Sequence, residues 1–141
     1  MILIASDHAA FDLKQHLVAF LKGMHHEVDD LGVRRMESVD YPDFAHRLAE
    51  GVGRGDGVQG ILICGTGLGM SMAANRHAGI RAALCHDAYT AAMARKHNDA
   101  NVLCIGARVL GIGVAEQVVR VFLSTPFEGG RHQRRIDKIE V

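Results

Sequence analysis

The sequence predicts an α/β fold in which a parallel sheet carries helices on both faces. Short apolar runs alternate with segments of helical period five times along the chain, and parallel neighbours require crossover connections of that kind. The run over 60–64, GILIC, is also apolar without interruption, as in a strand covered on both sides.

The first strand is MILIA, 1–5, followed by a helix that places Ala10, Leu13, Leu17, Phe20 and Leu21 on one face. Asp7 or Ser6 is expected to cap this helix near Ala9. Residues 26–31 read as a short second strand. Phe44, Ala45, Leu48 and Val52 fit a helix entered through Pro42, since proline suits a first helical turn. Strand 60–64 passes through GTGLG into a helix from about Met70. Strand 80–85 (IRAALC) precedes a helix over 88–96, and strand 101–106 (NVLCIG) precedes one bearing Val114, Val118, Val121 and Phe122. If the tail after Gly130 is helical, Arg131 and Arg135 stand at i and i+4 on one face.

A chain of 141 residues, 48% apolar and 23% charged, has the balance of one packed domain and not of a disordered tail or coiled coil. Sixteen basic residues match sixteen acidic ones, so no general field draws the chain to nucleic acid or to a membrane surface, and any grip on an anion is local. The opening apolar run reaches only Ile4 or Ala5 before Asp7 and His8, too short for a signal peptide or a membrane span; a cytoplasmic protein is the expectation. Cys64, Cys85 and Cys104 lie 21 and 19 residues apart without a C-x-x-C pair, which suits free thiols better than disulfides or a zinc knuckle. No H-E-x-x-H and no clustered ligand spacing occurs, so no metal is expected.

In parallel sheets ligands sit beyond the carboxyl ends of the strands. That rule selects Asp7 and His8, Cys64 to Gly69, residues 85–87 and Arg108. In Gly65-Thr66-Gly67-Leu68-Gly69 the alternate glycines let the backbone turn its N–H groups inward, toward a phosphate, a carboxylate or a developing oxyanion. Packing alone is the other account of such a turn. The loop is neither a dinucleotide fingerprint, which needs glycine where Met70 stands, nor a P-loop, which needs a lysine. Cys64 ends its strand beside a helix N-terminus, a setting that makes a thiolate available as base or nucleophile, whereas Cys85 and Cys104 read as core residues. His97 falls in Lys96-His97-Asn98-Asp99, after a helix and before the next strand, where a surface role competes with a catalytic one. Arg131 and Arg135 together suit chelation of one phosphate, against the alternative of a solvated terminal helix.

Asp7-His8, Val39-Asp40-Tyr41-Pro42, Ile63-Cys64-Gly65-Thr66-Gly67, Ala73-Ala74-Asn75, Gly79-Ile80-Arg81-Ala82, the run from His97 to Leu103, and Glu128-Gly129-Gly130-Arg131-His132 together resemble the type B ribose-5-phosphate isomerases. That family also contains allose-6-phosphate and galactose-6-phosphate isomerases. The matching segments follow family order from residue 4 to residue 135. The resemblance implies a single domain over 1–141, a Rossmann-like three-layer α/β/α sandwich on a five-stranded parallel sheet. It further implies metal-independent aldose–ketose isomerisation without a cofactor, in a homodimer whose sites draw on both subunits, with pairing into a dimer of dimers left open.

Carried across by position, the resemblance makes Cys64 the base that moves a proton between C1 and C2, and His97 the acid/base that opens the sugar ring. It assigns sugar and phosphate contacts to Asp7, His8, the backbone of Gly65, Thr66, Gly67, Leu68 and Gly69, and to Asn98, Arg108, Arg131 and Arg135. Family members that lack the cysteine place a glutamate directly after the last loop glycine; Met70 stands there in this chain, which leaves Cys64. The chemistry agrees, since an enediolate needs a base beside C1 and C2 and donors where charge develops on oxygen. The expected reaction is interconversion of ribose 5-phosphate and ribulose 5-phosphate. A hexose-6-phosphate isomerase is the alternative within the class. A phosphosugar-binding module without chemistry is the alternative outside it, although a mere binder needs neither Cys64 nor His97. A flavin binder would want aromatic residues to stack on the ring, and the chain has no Trp and two Tyr, Tyr41 and Tyr89.

Overall fold

A computed structural model describes all 141 residues, Met1–Val141. The strands are β1 (Ile2–Ser6), β2 (Val28–Asp30), β3 (Gln59–Cys64), β4 (Ala82–Leu84) and β5 (Val102–Gly106). The helices are α1 (Phe11–Gly23), α2 (Tyr41–Arg54), α3 (Leu68–Ala74), α4 (Ala88–Asn98), α5 (Ile112–Ser124) and α6 (Arg131–Asp137), and a 3₁₀ turn, His8–Ala10, joins β1 to α1. All strand pairs are parallel, in the order β2-β1-β3-β5-β4.

Alternation along the inner strands divides the core between two faces. Ile61 and Ile63 pack with Leu17 and Leu21 of α1, Ala91 of α4, and Val118 and Phe122 of α5. Leu62 and Cys64 pack with Leu48 and Val52 of α2 and with Met70 and Ala74 of α3. The result is the expected three-layer α/β/α arrangement on a five-stranded sheet. The edge strands β2 and β4 are three residues each, and short edges limit unwanted pairing with other chains.

Several boundaries differ from the sequence reading. Helix α3 starts at Leu68 instead of about Met70. Helix α4 runs past residue 96 to Asn98, so His97 lies within the helix and not after it. Val114 is exposed, because the buried stripe of α5 runs through Ala115, Val118, Val119 and Phe122.

Two features position the functional residues. β1 and β3 are neighbours, yet the chain leaves them through α1 and α3 on opposite faces, which opens a crevice between their carboxyl ends. On the β2 side, the fully buried Lys14 of α1 donates to both carboxylate oxygens of Asp30 at 2.7 Å. Asp30 Oδ1 also accepts from the Gly32 amide at 2.9 Å, which anchors the loop that returns toward β1. Removing the Asp30 carboxylate would strand the buried Lys14 ammonium without a partner. No helix is long and apolar enough to cross a membrane.

Candidate active site

Cys64 closes β3 opposite Gly106 of β5, and the next peptides bind the turn after β5: Ala107 N–H donates to the Cys64 carbonyl at 2.8 Å and Arg108 N–H to that of Gly65 at 3.0 Å. The thiol is buried. Its sulfur accepts a hydrogen bond from the Gly67 amide at 3.1 Å. Gly67 has φ +81°, and a Cβ there would lie 2.6 Å from Leu84 Cδ1 and 3.0 Å from the Ile105 carbonyl carbon; glycine is therefore needed for both conformation and space. The amides of Thr66 and Gly69 have no acceptor within the chain, so they stand available to an anionic oxygen. The Arg108 guanidinium lies against Gly65, 3.5 Å from where a Cβ would be, and the Tyr41 ring covers Gly69.

Asp7 and His8 enter this crevice from β1. The Asp7 amide donates to the Ile63 carbonyl at 3.2 Å, and its Oδ1 accepts from Ala10 N–H at 3.2 Å, so Asp7 caps the turn as expected. His8 Nδ1 accepts from the Val39 amide at 3.3 Å; in the neutral ring that assigns the proton to Nε2. Cys85 and Cys104 are buried outside this arrangement. Burial pushes the Cys85 thiol up to about 11, against an opposing hydrogen bond with Thr90, and raises that of Cys104 as well. The neighbouring Asp87 is held low by Thr90, whose amide it accepts as the N-cap of α4.

The remaining expected residues lie elsewhere. His97 and Asn98 occupy the last turn of α4, closed by Asp99 at φ +43°. Arg81, just before β4, donates to the Asn98 carbonyl at 2.9 Å and to that of Asp99 at 2.9 Å, and Arg95 binds Asp99 Oδ1 at 2.9 Å. Arg131 and Arg135 are exposed on α6. The loop before α6 is tied to α4 by the Glu128 amide, which donates to the Lys96 carbonyl at 3.1 Å. This group therefore sits where β4 and β5 begin, whereas Cys64 sits where β5 ends. The four steps from Val102 to Gly106 span roughly 13 Å of strand. Within one chain, then, Asp7, His8, Cys64 to Gly69 and Arg108 come together at one end of the sheet, and His97, Asn98, Arg131 and Arg135 at the other.

The structure also brings in residues that the sequence reading passed over. The His132 ring stacks on that of His97, with centroids 4.3 Å apart and planes 13° apart, and Glu128 Oε2 lies 3.5 Å from His132 Nε2. The donor atoms of His97, Glu128 and His132 lie within 4.8 Å of one another, a clustering that local spacing did not reveal. Nearly parallel rings hold their lone pairs in separate planes, so as arranged the two imidazoles do not converge on one ion. Tyr41 and His132 stand inside motifs singled out above, yet only long-range packing carries them to the loop and to His97.

The model of the ribose/galactose isomerase family matches residues 2–139. The chain belongs to this family. Among its relatives is ribose-5-phosphate isomerase B of Escherichia coli, 46% identical over 138 residues, which cover 98% of this chain and 93% of the relative. A ribose 5-phosphate isomerase from Thermotoga maritima superposes with a TM-score of 0.96 at 53% identity, covering 99% of this chain and 96% of the other. The type B enzyme of Trypanosoma cruzi gives a TM-score of 0.94 at 50% identity, over 98% and 94% of the two chains. The parallel sheet and its flanking helices are thus those of the ribose/galactose isomerase family.

Proposed function

We propose that this chain interconverts ribose 5-phosphate and ribulose 5-phosphate through an enediolate, as a homodimer in which each site joins the Cys64 end of one subunit to the His97 end of the other. The division of the site residues between two ends of one sheet carries this reading: neither end alone offers ring opening, proton transfer and a phosphate grip. The names of the relatives support the pentose phosphate as substrate, and a cytoplasmic location suits an enzyme of phosphorylated sugars.

In this reading Arg131 and Arg135 hold the phosphate by charge-assisted hydrogen bonds, and Asp7, His8, Asn98 and Arg108 contact the sugar or its phosphate. His97 takes the proton of the C1 hydroxyl and supplies one to the ring oxygen, which breaks the C1–O bond of the ring and leaves the open aldehyde. The Cys64 thiolate then removes the proton at C2, and the electron pair moves to form the enediolate. The Thr66 and Gly69 amides meet the charge that develops on oxygen. Return of a proton to C1, with the matching hydroxyl proton shift, gives the ketose.

Mixing two inactive variants tests the shared site. Cys64→Ala and His97→Asn homodimers are each expected to be nearly silent. After co-refolding, random pairing restores one intact site in each heterodimer, or about a quarter of the wild-type rate. No recovery from a mixture shown to contain heterodimers would place both residues in a site within one subunit. Comparing kcat/KM on ribose 5-phosphate and on allose 6-phosphate tests the substrate, and a preference for the hexose phosphate would overturn the pentose reading.

A further inference from the structure

We propose that His132 and Glu128 are positioning residues for His97: they fix the plane of its ring so that both of its nitrogens are free for the sugar. The inference rests on the ring-opening role given to His97 above and adds two residues to it.

Ring opening by one imidazole has a geometric demand. One nitrogen must accept the C1 hydroxyl proton while the other, or the same nitrogen afterwards, delivers a proton to the ring oxygen. An imidazole held by a hydrogen bond within its own protein loses one of its two edges. His97 makes no such bond: neither ring nitrogen has a hydrogen-bond partner in the chain. What limits its rotation is the face of His132, stacked at 4.3 Å with 13° between the planes. Stacking restrains the plane and leaves the edges untouched.

His132 is itself held. It is one of two buried residues of α6, with Ile136 as the other, so its backbone is anchored by packing. Glu128 Oε2 stands 3.5 Å from its Nε2, where it would resist rotation of the ring. Glu128 in turn is joined through its amide to the carbonyl of Lys96, the residue before His97. The carboxylate, the covering ring and the acid/base are therefore referenced to the same helical turn. The two glycines between Glu128 and Arg131 have φ of +68° and +57°, a conformation open to glycine, and they let the chain reverse so that residues four apart meet outside a helix.

The test uses the full-length enzyme and two rates. Turnover of ribose 5-phosphate starts from the furanose and includes ring opening. Exchange of a C1 hydrogen of ribulose 5-phosphate with solvent deuterium bypasses it, because that ketose cannot close a furanose ring with its O5 phosphorylated. His132→Ala is expected to lower ring-form turnover roughly 10- to 100-fold through misplacement of His97, with KM and C1 exchange changed by less than about threefold. His132→Phe keeps a flat covering face and is expected to recover most of the turnover. Glu128→Ala should fall between His132→Ala and the wild type. In NMR spectra, the ring-current shift of the His97 Hε1 proton should vanish in His132→Ala and persist in His132→Phe.

Parallel loss of exchange and turnover in His132→Ala would overturn the proposal, since it would mean a general defect of the site or the dimer. Equal loss in His132→Phe and His132→Ala would also overturn it, since the His132 nitrogens would then act on the substrate directly. A His97→Asn variant measured alongside separates this inference from its foundation. If that variant opens the ring at the normal rate, the ring-opening assignment is what fails, and the role given to His132 falls with it.

Discussion

The Gly67 amide donates a hydrogen bond to the Cys64 sulfur across 3.1 Å, joining the strand-end thiol to the loop that follows it. The thiol and the loop amides are thereby set by one continuous stretch of backbone, so a change in the loop is felt at the sulfur.

Cys64→Ala is expected to reduce kcat by roughly 10² to 10⁴, the usual cost of losing a general base, with little change in KM. Steady-state rates in both directions check this, and near wild-type turnover would remove Cys64 from the mechanism. The same thiol should be the first to react with iodoacetamide at about pH 8. Cys85, pushed up to about 11 by burial, stays protonated there and gains reactivity only as pH rises toward that value. Peptide mapping by mass spectrometry reads the order, and substrate should slow modification of Cys64.

Gly67→Ala is expected to cost roughly 1 to 3 kcal/mol of stability, as for overpacking in a tight site, because its Cβ would meet Leu84 and the Ile105 backbone at a positive φ. It should also lower kcat by displacing the amide on sulfur. Gly69→Ala provides the contrast: its Cβ would meet the Tyr41 ring, which is 39% exposed and can swing aside. Thermal unfolding of the two variants measures the difference, and equal losses would contradict the argument.

Arg135→Ala removes one charge-assisted contact to phosphate, typically worth roughly 1.5 to 3 kcal/mol. It should act chiefly by raising KM for ribose 5-phosphate. Unphosphorylated ribose, which already lacks the contact, should be affected far less. Equal losses on the two sugars would assign Arg135 to folding or assembly.

Exhaustive dialysis against a chelator should leave turnover intact, since loop amides meet the enediolate charge in the proposed mechanism. Loss of activity that a divalent metal restores would refute this.

Much of the site was legible because its signals are local. A thiol ending an apolar run, glycines at alternate positions and an Asp-His pair after the first strand are each contained within a few residues. The tail helix with Arg131 and Arg135 was legible for the same reason. Even the separation of Cys64 from His97 lay within reach: one ends a strand and the other precedes one, and in a parallel sheet those positions lie at opposite ends. Helix limits were less so, as the two extra residues of α4 show. Arg81 and Arg95 bind its last turn through carbonyl and carboxylate groups of residues 98 to 100, contacts that no periodicity encodes.

The sequence by itself determined the succession of strands and helices, the parallel sense of the sheet and which residue types stand at each strand end, because hydrophobic period and turn residues act over a few positions. Only the tertiary structure decided the order β2-β1-β3-β5-β4, the reach of Tyr41 over Gly69 and the stacking of His132 on His97. Each of these depends on which face a crossover helix takes and on residues tens of positions apart meeting by packing. Side-chain contacts made that way leave no spacing in the chain from which they can be read.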